Sequence, residues 1–355
     1  MRYARVARLT PMSLDIFRNS WIPGACAGAC RSARGAGAYV AGSLFLIALA
    51  FSAHCAYAQT YPGKSITLVV PFPPGGRTDL TARAVADSMK DELHQPVVIV
   101  NKPGASGVLG ALEVGGAAPD GYTLGFFSTG FLTTQYTVPT PTHAKDYELV
   151  SLINYDPAAA AASAATGWTT VQQVIAAGKA KPHSVRVGIN PGNSAHIFAA
   201  AFAKAAGLDV IYVPFKGGSE RAAAIAGGHI DLDFDIVAPM KSLLDAGKLR
   251  VLGVAAEQRV DLYRQIPTFK EQGVDLVIYS WHGVFAPKGT PAQVLTALDA
   301  TLGKVARNPR FIAQMEKLLL GVRYMNRQEF ANFFKVQDAQ FKPLIQTLGL
   351  MVSPG

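Results

Sequence analysis

Apolar residues in this chain fall into short unbroken runs that alternate with stretches of helical spacing, from residue 66 almost to the end. Ile66, Leu68, Val69 and Val70 predict a strand over 66–70, β-branched and uncharged, of the kind covered on both faces of a sheet. Pro71, Pro73 and Pro74 end it, because proline fixes φ and removes a backbone donor. Gly75 and Gly76 follow. After Thr78 and Asp79, which suit a helix start, Leu80, Ala84, Val85, Met89 and Leu93 recur at helical spacing. The same rhythm predicts strands over 96–100, 122–127, 185–189, 210–214, 230–235 and 249–254. Helical patterns fall over 170–179, 197–205 and 239–246, with others after Gly107 and from Glu220. Three helices, over 291–307, 309–320 and 327–348, close the chain. Repeated β-α-β units predict an α/β fold with mostly parallel sheets flanked by helices, where ligands gather at the carboxyl ends of strands.

The small-residue run over 158–165 reads as a crossing into a second domain, and 283–287 reads as the return. The expected division is a first domain of 59–157 plus 282–355, and a second of 158–281. Each domain carries the same device. In the first, the turn Pro74, Gly75, Gly76, Arg77, Thr78 and Asp79 leads from a strand into a helix. In the second, Asn190, Pro191, Gly192, Asn193, Ser194 and His196 do the same. A helix N-terminus has unpaired amides and the positive end of the helix dipole, so it favours a carboxylate or phosphate. Two such ends, one per domain, suit a cleft that holds a small acid from both sides.

Neither turn is a nucleotide P-loop, which needs Gly-Lys-Ser/Thr at its end. The glycines at 104, 107 and 110 have the wrong spacing for a dinucleotide fingerprint; they read as a loop and helix packed closely.

Charge changes the picture once the leader is set apart. The formal charge is +9, but residues 1–58 hold six arginines against Asp15, a net of +5, so residues 59–355 carry +4 without basic runs. Nucleic-acid binding is not expected. Arg31 and Arg34 precede an uncharged run over 35–53, which ends in Ala56-Tyr57-Ala58, a small-x-small cleavage site. A cleaved signal peptide is the expectation; a membrane anchor is the competing reading, since the run is just long enough to span. Cys55 raises a lipoprotein anchor, but Ser52-Ala53-His54 makes a poor lipobox. All three cysteines (Cys26, Cys30 and Cys55) lie in the leader, so the exported chain has neither disulfide nor thiol nucleophile.

Several residues admit two readings. Asp235 and Lys216 end strands, where sites are built; otherwise Asp235 is a cap and Lys216 a solvated charge. His196 is a base or, more simply, a packed first-turn histidine. A Ser194–His196 pair lacks the Gly-x-Ser-x-Gly setting of a nucleophile elbow, and the histidines lack metal-ligand spacing. No catalysis, metal or cofactor is expected.

In order and at this spacing, several motifs resemble the Bug-type receptors, periplasmic substrate-binding proteins of tripartite tricarboxylate transporters. They are Tyr61-Pro62, Val70-Pro71-Phe72-Pro73-Pro74-Gly75-Gly76 with Thr78-Asp79, and Asn101-Lys102-Pro103-Gly104. Ala118-Pro119-Asp120-Gly121-Tyr122-Thr123-Leu124, Gly192-Asn193-Ser194 with His196, Val213-Pro214-Phe215-Lys216-Gly217 and Ala286-Pro287-Lys288-Gly289-Thr290-Pro291 complete the set. The resemblance covers nearly all of the exported chain. It implies a two-lobed, Venus-flytrap periplasmic binding protein, a monomer that closes around a small organic acid and serves a membrane permease. The acid is a mono- or dicarboxylate, an acidic amino acid among the candidates. A sensor of the same fold, signalling to a membrane kinase, is the alternative.

The resemblance further implies that backbone amides and ordered waters of the 74–79 loop, beside Phe72, hold one carboxylate. The 190–196 loop faces it, and Ser128, Thr129, Phe215, Lys216 and Gly217 line the cleft. Arg77 departs from the small residue usual at its position. It either contacts the carboxylate or points to solvent from the first helical turn, the slightly preferred reading. Ile189-Asn190-Pro191 likewise replaces a more usual small-residue approach to Gly192, so the second lobe's contacts are expected to be reshaped.

Overall fold

A computed structural model describes residues 61–352; the leader, its cysteines and its cleavage site lie outside the described residues. Strands β1 (Ile66–Val70), β2 (Val97–Asn101), β3 (Thr123–Ser128), β4 (Tyr147–Pro157), β10 (Tyr279–Pro287) and β11 (Val322–Met325) form one sheet, in the order β11-β4-β10-β3-β1-β2. A second sheet has the order β7-β6-β8-β5-β9, built from β5 (Ala159–Ser163), β6 (Arg186–Ile189), β7 (Ile211–Pro214), β8 (Leu232–Asp235) and β9 (Leu249–Val254). The two-lobed α/β plan holds.

Both sheets are mixed, which corrects the expectation of mostly parallel ones. β1 pairs in parallel with β2 and β3, and β6 with β7 and β8, as β-α-β units require. The strands adjoining the crossings, β4, β5 and β10, pair antiparallel with their neighbours. Local periodicity marks strands but carries no direction, so the pattern could not separate the two arrangements.

The small-residue run is a strand as well as a crossing. β5 lies inside the second sheet between β8 and β9; Ala159 and Ala161 face one hydrophobic cluster, Ala160 and Ala162 the other. Alanine favours helix in isolation; here burial on both faces of a sheet decides. β4 and β11 escaped the sequence pattern, and residues 279–287 pair as one strand of the first sheet. The two crossings run side by side: Ala158 donates to Ile278 at 3.0 Å, Ala255 to Ala158 at 2.7 Å, and Ile278 to Ala255 at 3.0 Å. Tyr155 and Tyr279 stack beside them with ring centroids 4.4 Å apart.

Ten helices cover the sheets among the described residues. Those that position the site are α1 (Arg77–Leu93), α2 (Val108–Gly115), α3 (Thr129–Thr137), α5 (Ser194–Ala206) and α6 (Gly218–Ala226). Helix α4 (Val171–Ala180) and the short α7 (Lys241–Asp245) belong to the second sheet's surroundings. Helices α8 (Ala292–Arg307), α9 (Pro309–Lys317) and α10 (Arg327–Thr347) close the chain. Gly110 in α2 has the packing role read from its spacing: a Cβ there would lie 2.7 Å from the Pro71 backbone.

Candidate functional site

The turn after β1 delivers its chain to α1 with Gly76 as the helix cap, and a glycine offers no side chain to bond the first-turn amides. Asp79 braces this turn. Its carboxylate accepts from the Gly75 amide at 2.9 Å, from Arg83 Nε and Nη2 at 2.9 Å each, and from Asn101 Nδ2 at 3.0 Å. Burial alone would raise its pKa, but these donors outweigh burial and hold it below the usual carboxylate range. Asp79 therefore fixes the loop and has little left for a ligand. Gly75 needs its residue type, with φ at +82°; Gly76, at −79°, does not, and a Cβ there would meet nothing nearer than the Pro73 carbonyl at 3.8 Å.

The matching turn after β6 has Asn193 as the cap residue of α5, again without a capping side-chain bond. It packs against the first lobe. Ser106 Oγ donates to the Pro191 carbonyl at 2.7 Å, and Thr137 Oγ1 to that of Gly192 at 2.5 Å. The lobes also meet where Gly217 faces Pro73: a Cβ on Gly217 would stand 2.9 Å from Pro73 Cδ.

Between the turns lies a cavity of about 20 Å³, lined by Phe72, Gly76, Arg77, Thr78, Asn190, Asn193, Gly218, Arg221 and Asp235. That is room for about one water. The two loops do share one cavity, as the sequence reading required.

Arg77 corrects the preferred sequence reading. Its side chain is only 8% exposed and crosses from the first lobe into the second. Nη1 donates to Asp235 Oδ1 at 3.0 Å, Nη2 donates to Ser194 Oγ, and the guanidinium lies 5.9 Å from the Phe198 ring centroid. Asp235 supplies an anion and Ser194 a lone pair, so the cation is buried with partners instead of being solvated. Asp235 is itself shared: Arg221 Nη2 donates to Oδ2 at 2.6 Å, and the Ile236 amide to Oδ1 at 2.9 Å. Arg221 also donates through Nε to Asp233 at 2.6 Å and through Nη1 to Asn190 Oδ1. Ser194 Oγ in turn donates a hydrogen bond to Asn193 Oδ1 at 2.9 Å. The result is one buried line of charges and dipoles, Asp233–Arg221–Asp235–Arg77–Ser194–Asn193, spanning the cleft.

A second line runs behind α1. His282 is fully buried on β10, with Nδ1 2.6 Å from Asn154 Oδ1 and Nε2 3.4 Å from Thr78 Oγ1. Asn154 Oδ1 can only accept, so Nδ1 carries the proton and Nε2 faces the Thr78 hydroxyl as an acceptor. Burial, with the Arg77 charge nearby, holds His282 far below the usual imidazole range and therefore neutral. Asn154 Nδ2 donates to Asp156, whose carboxylate burial pushes up to about 7.

Other residues singled out from sequence fall away from the cavity. Ser128 is a helix cap, its Oγ accepting from the Gly130 amide at 3.3 Å, and Thr129 Oγ1 accepts from the Trp281 amide at 2.9 Å. Both are buried beneath the site. His196 accepts from the Gly192 amide at 3.2 Å and packs edge-on against Tyr212, with its pKa lowered by burial. Lys216 is exposed, the solvated reading, and Phe215 packs against the second lobe's core. Pro74 and Gly75 are exposed at the turn, and Gly192 is tied to Thr137.

Arg221 and Gly218 were missed. One signal was present: Asp233 and Asp235 share a face of a strand inside a sheet, and two buried acids demand a cation nearby.

The family model described as tripartite tricarboxylate transporter family receptor matches residues 81–350. A UPF0065 protein from the gbd 5′ region of Cupriavidus necator is 33% identical over 300 residues, 83% of this chain and 90% of that protein. The solved periplasmic binding protein BugD is 28% identical with a TM-score of 0.78, covering 82% of this chain and 99% of that one. An R. palustris protein solved with adipate is also 28% identical at a TM-score of 0.78, covering 81% and 98%.

Proposed function

The chain belongs to the tripartite tricarboxylate transporter receptor family, and from that premise we propose that it captures a small organic carboxylate between its lobes and hands it to a transporter permease. It is a Bug-type binding protein, not an enzyme. We further propose that it acts in the periplasm as a monomer, after cleavage of the leader near Ala58.

One observation carries the carboxylate reading. Two uncapped helix N-termini and the Arg77 guanidinium converge on a single interlobe cavity. Micromolar binding needs about −8 kcal/mol. A helix-end contact supplies only about 0.3–1 kcal/mol. Several amides, a charge-assisted contact to Arg77 and closure of the lobes must therefore act together. The adipate held by the R. palustris neighbour supports an acid as ligand class. The paired crossings at Ala158 and Ile278 are the natural hinge, because few backbone bonds there need to change for the lobes to part.

Thermal unfolding with a ligand panel tests the proposal. A carboxylate present at 100 times its Kd adds about 2.7 kcal/mol, a rise of several degrees, while neutral sugars leave the midpoint unchanged. Stabilisation by sugars with none by acids contradicts it.

A further inference from the structure

The charges that span the cleft also bear on what kind of carboxylate fits, provided the receptor reading holds. The formal charges of Asp233, Arg221 and Asp235 on the second lobe sum to −1, and all three are at most 4% exposed; burial pushes the Asp233 carboxyl up, and Arg221 beside it opposes that shift. Arg77, reaching over from the first lobe, brings the buried group to zero. Neutral His282 adds nothing to this count. The one guanidinium of Arg77 serves two acceptors at once, Asp235 Oδ1 through Nη1 and Ser194 Oγ through Nη2. Its head group therefore occupies a ready-made subsite for a cationic donor on the second lobe.

The remaining cavity of about 20 Å³ is too small for any solute of several heavy atoms. A ligand must take space that the Arg77 head group now fills. Once a carboxylate draws Arg77 to itself, Asp235 keeps Arg221 and the Ile236 amide but loses its fourth-charge partner. The second lobe is then left with an uncompensated buried negative charge, which is strongly unfavourable.

We infer that the receptor selects a carboxylate carrying an ammonium group on the same short skeleton, the carboxylate meeting Arg77 and the first-turn amides of α1, the ammonium meeting Asp235 and Ser194. With one carboxylate such a ligand returns the buried sum to zero; with a second it leaves −1, against −2 for the matching diacid without an amine. A hydroxy acid satisfies the two acceptors but leaves −1 with one carboxylate and −2 with two. An unsubstituted dicarboxylate leaves −2 and sets one carboxylate against Asp235, so it ranks last.

Calorimetric titration of the purified full chain with matched series tests this: propionate, lactate and alanine; succinate, malate and aspartate; glutarate, 2-hydroxyglutarate and glutamate. In whichever series binds, the amino member is expected to bind at least about tenfold more tightly than the unsubstituted parent, a difference of about 1.4 kcal/mol. A parent acid that binds as tightly as its amino counterpart overturns the inference and leaves the receptor reading standing. No heat from any carboxylate, in these series or a wider panel, overturns both. Asp235→Asn sharpens the result. With one negative charge removed, the amino member is expected to lose about tenfold or more while the parent acid gains. Equal weakening of both would mark Asp235 as merely structural and overturn its assigned role. Should that variant fail to fold, the wild-type series decide alone.

Discussion

On the first lobe, the turn before α1 is held by an acid and a base at its edge: Asp79 is buried, but its partner Arg83 is half exposed. On the second lobe, the turn before α5 sits over Arg221, whose side chain is 2% exposed and whose two acids are 5% exposed. The backbone device is the same in both, a strand, a turn and an uncapped helix N-terminus. The first lobe leaves that device nearly bare and sends a single arginine outward. The second surrounds it with side chains from α6 and β8. Shared backbone geometry makes both faces hospitable to an anion, whereas the side chains behind the second face turn it into an acceptor for a cation. Ligand choice thus rests on the asymmetry.

The largest expected effect comes from making one change on both faces. Arg221→Met strands Asp233, leaves Asp235 with Arg77 as its one cation, and is expected to cost about 3–5 kcal/mol in denaturant unfolding. Arg83→Met, at the half-exposed pair, should cost about 1 kcal/mol or less. Equal losses would break the contrast.

Next comes the support behind the first face. Asp156 has a folded pKa of about 7 against an ordinary value near 4, so the folded chain holds its proton more tightly. Its contribution is complete below about pH 4 and is lost as pH rises through about 7, up to ~4 kcal/mol in all. His282 has the opposite sign. Its folded pKa is lowered, so its contribution is present above the unfolded value near 6.5 and lost as pH falls. Asp156→Asn should remove the first limb and leave an unfolding free energy that falls only on acidification below about 6.5. A variant whose pH profile matches the wild type would remove Asp156 from this role.

A smaller effect tests closure itself. Gly217→Val puts a branched Cβ against the Pro73 ring, an overpacking of about 1–3 kcal/mol felt only when the lobes meet. Affinity should fall and the unliganded melting midpoint should drop with it, because the lobes already meet at this contact. Gly76→Ala, with open space around its Cβ, should be milder; the reverse order would place the tight interlobe contact elsewhere. The smallest effect is at Lys216→Ala, within about 0.5 kcal/mol in stability and without change in affinity, since its side chain is exposed.

The backbone half of this molecule was legible because it is local. The runs Ile66–Val70 and Arg186–Ile189, their Pro/Gly turns and the amphipathic helices that follow announce themselves within about fifteen residues, and they placed Gly76, Arg77, Thr78, Asn190 and Asn193 around one cavity. What stayed hidden is non-local. Arg77 meets Asp235 across 158 positions of sequence, and His282 meets Thr78 across 204. Arg221 was missed because its two acids lie on β8, beyond its own helix. The alanine strand β5 carries too little side-chain pattern to declare its period, and β11 is a short edge strand between two helices.

The central claim is that the cleft grips a carboxylate without chemistry. Native mass spectrometry of the purified protein, after incubation with an extract of small metabolites, measures this most directly. Release and identification of the captured molecule should yield an unmodified organic acid, one per chain. A neutral sugar, a base without a carboxylate, or a chemically altered product would contradict the account.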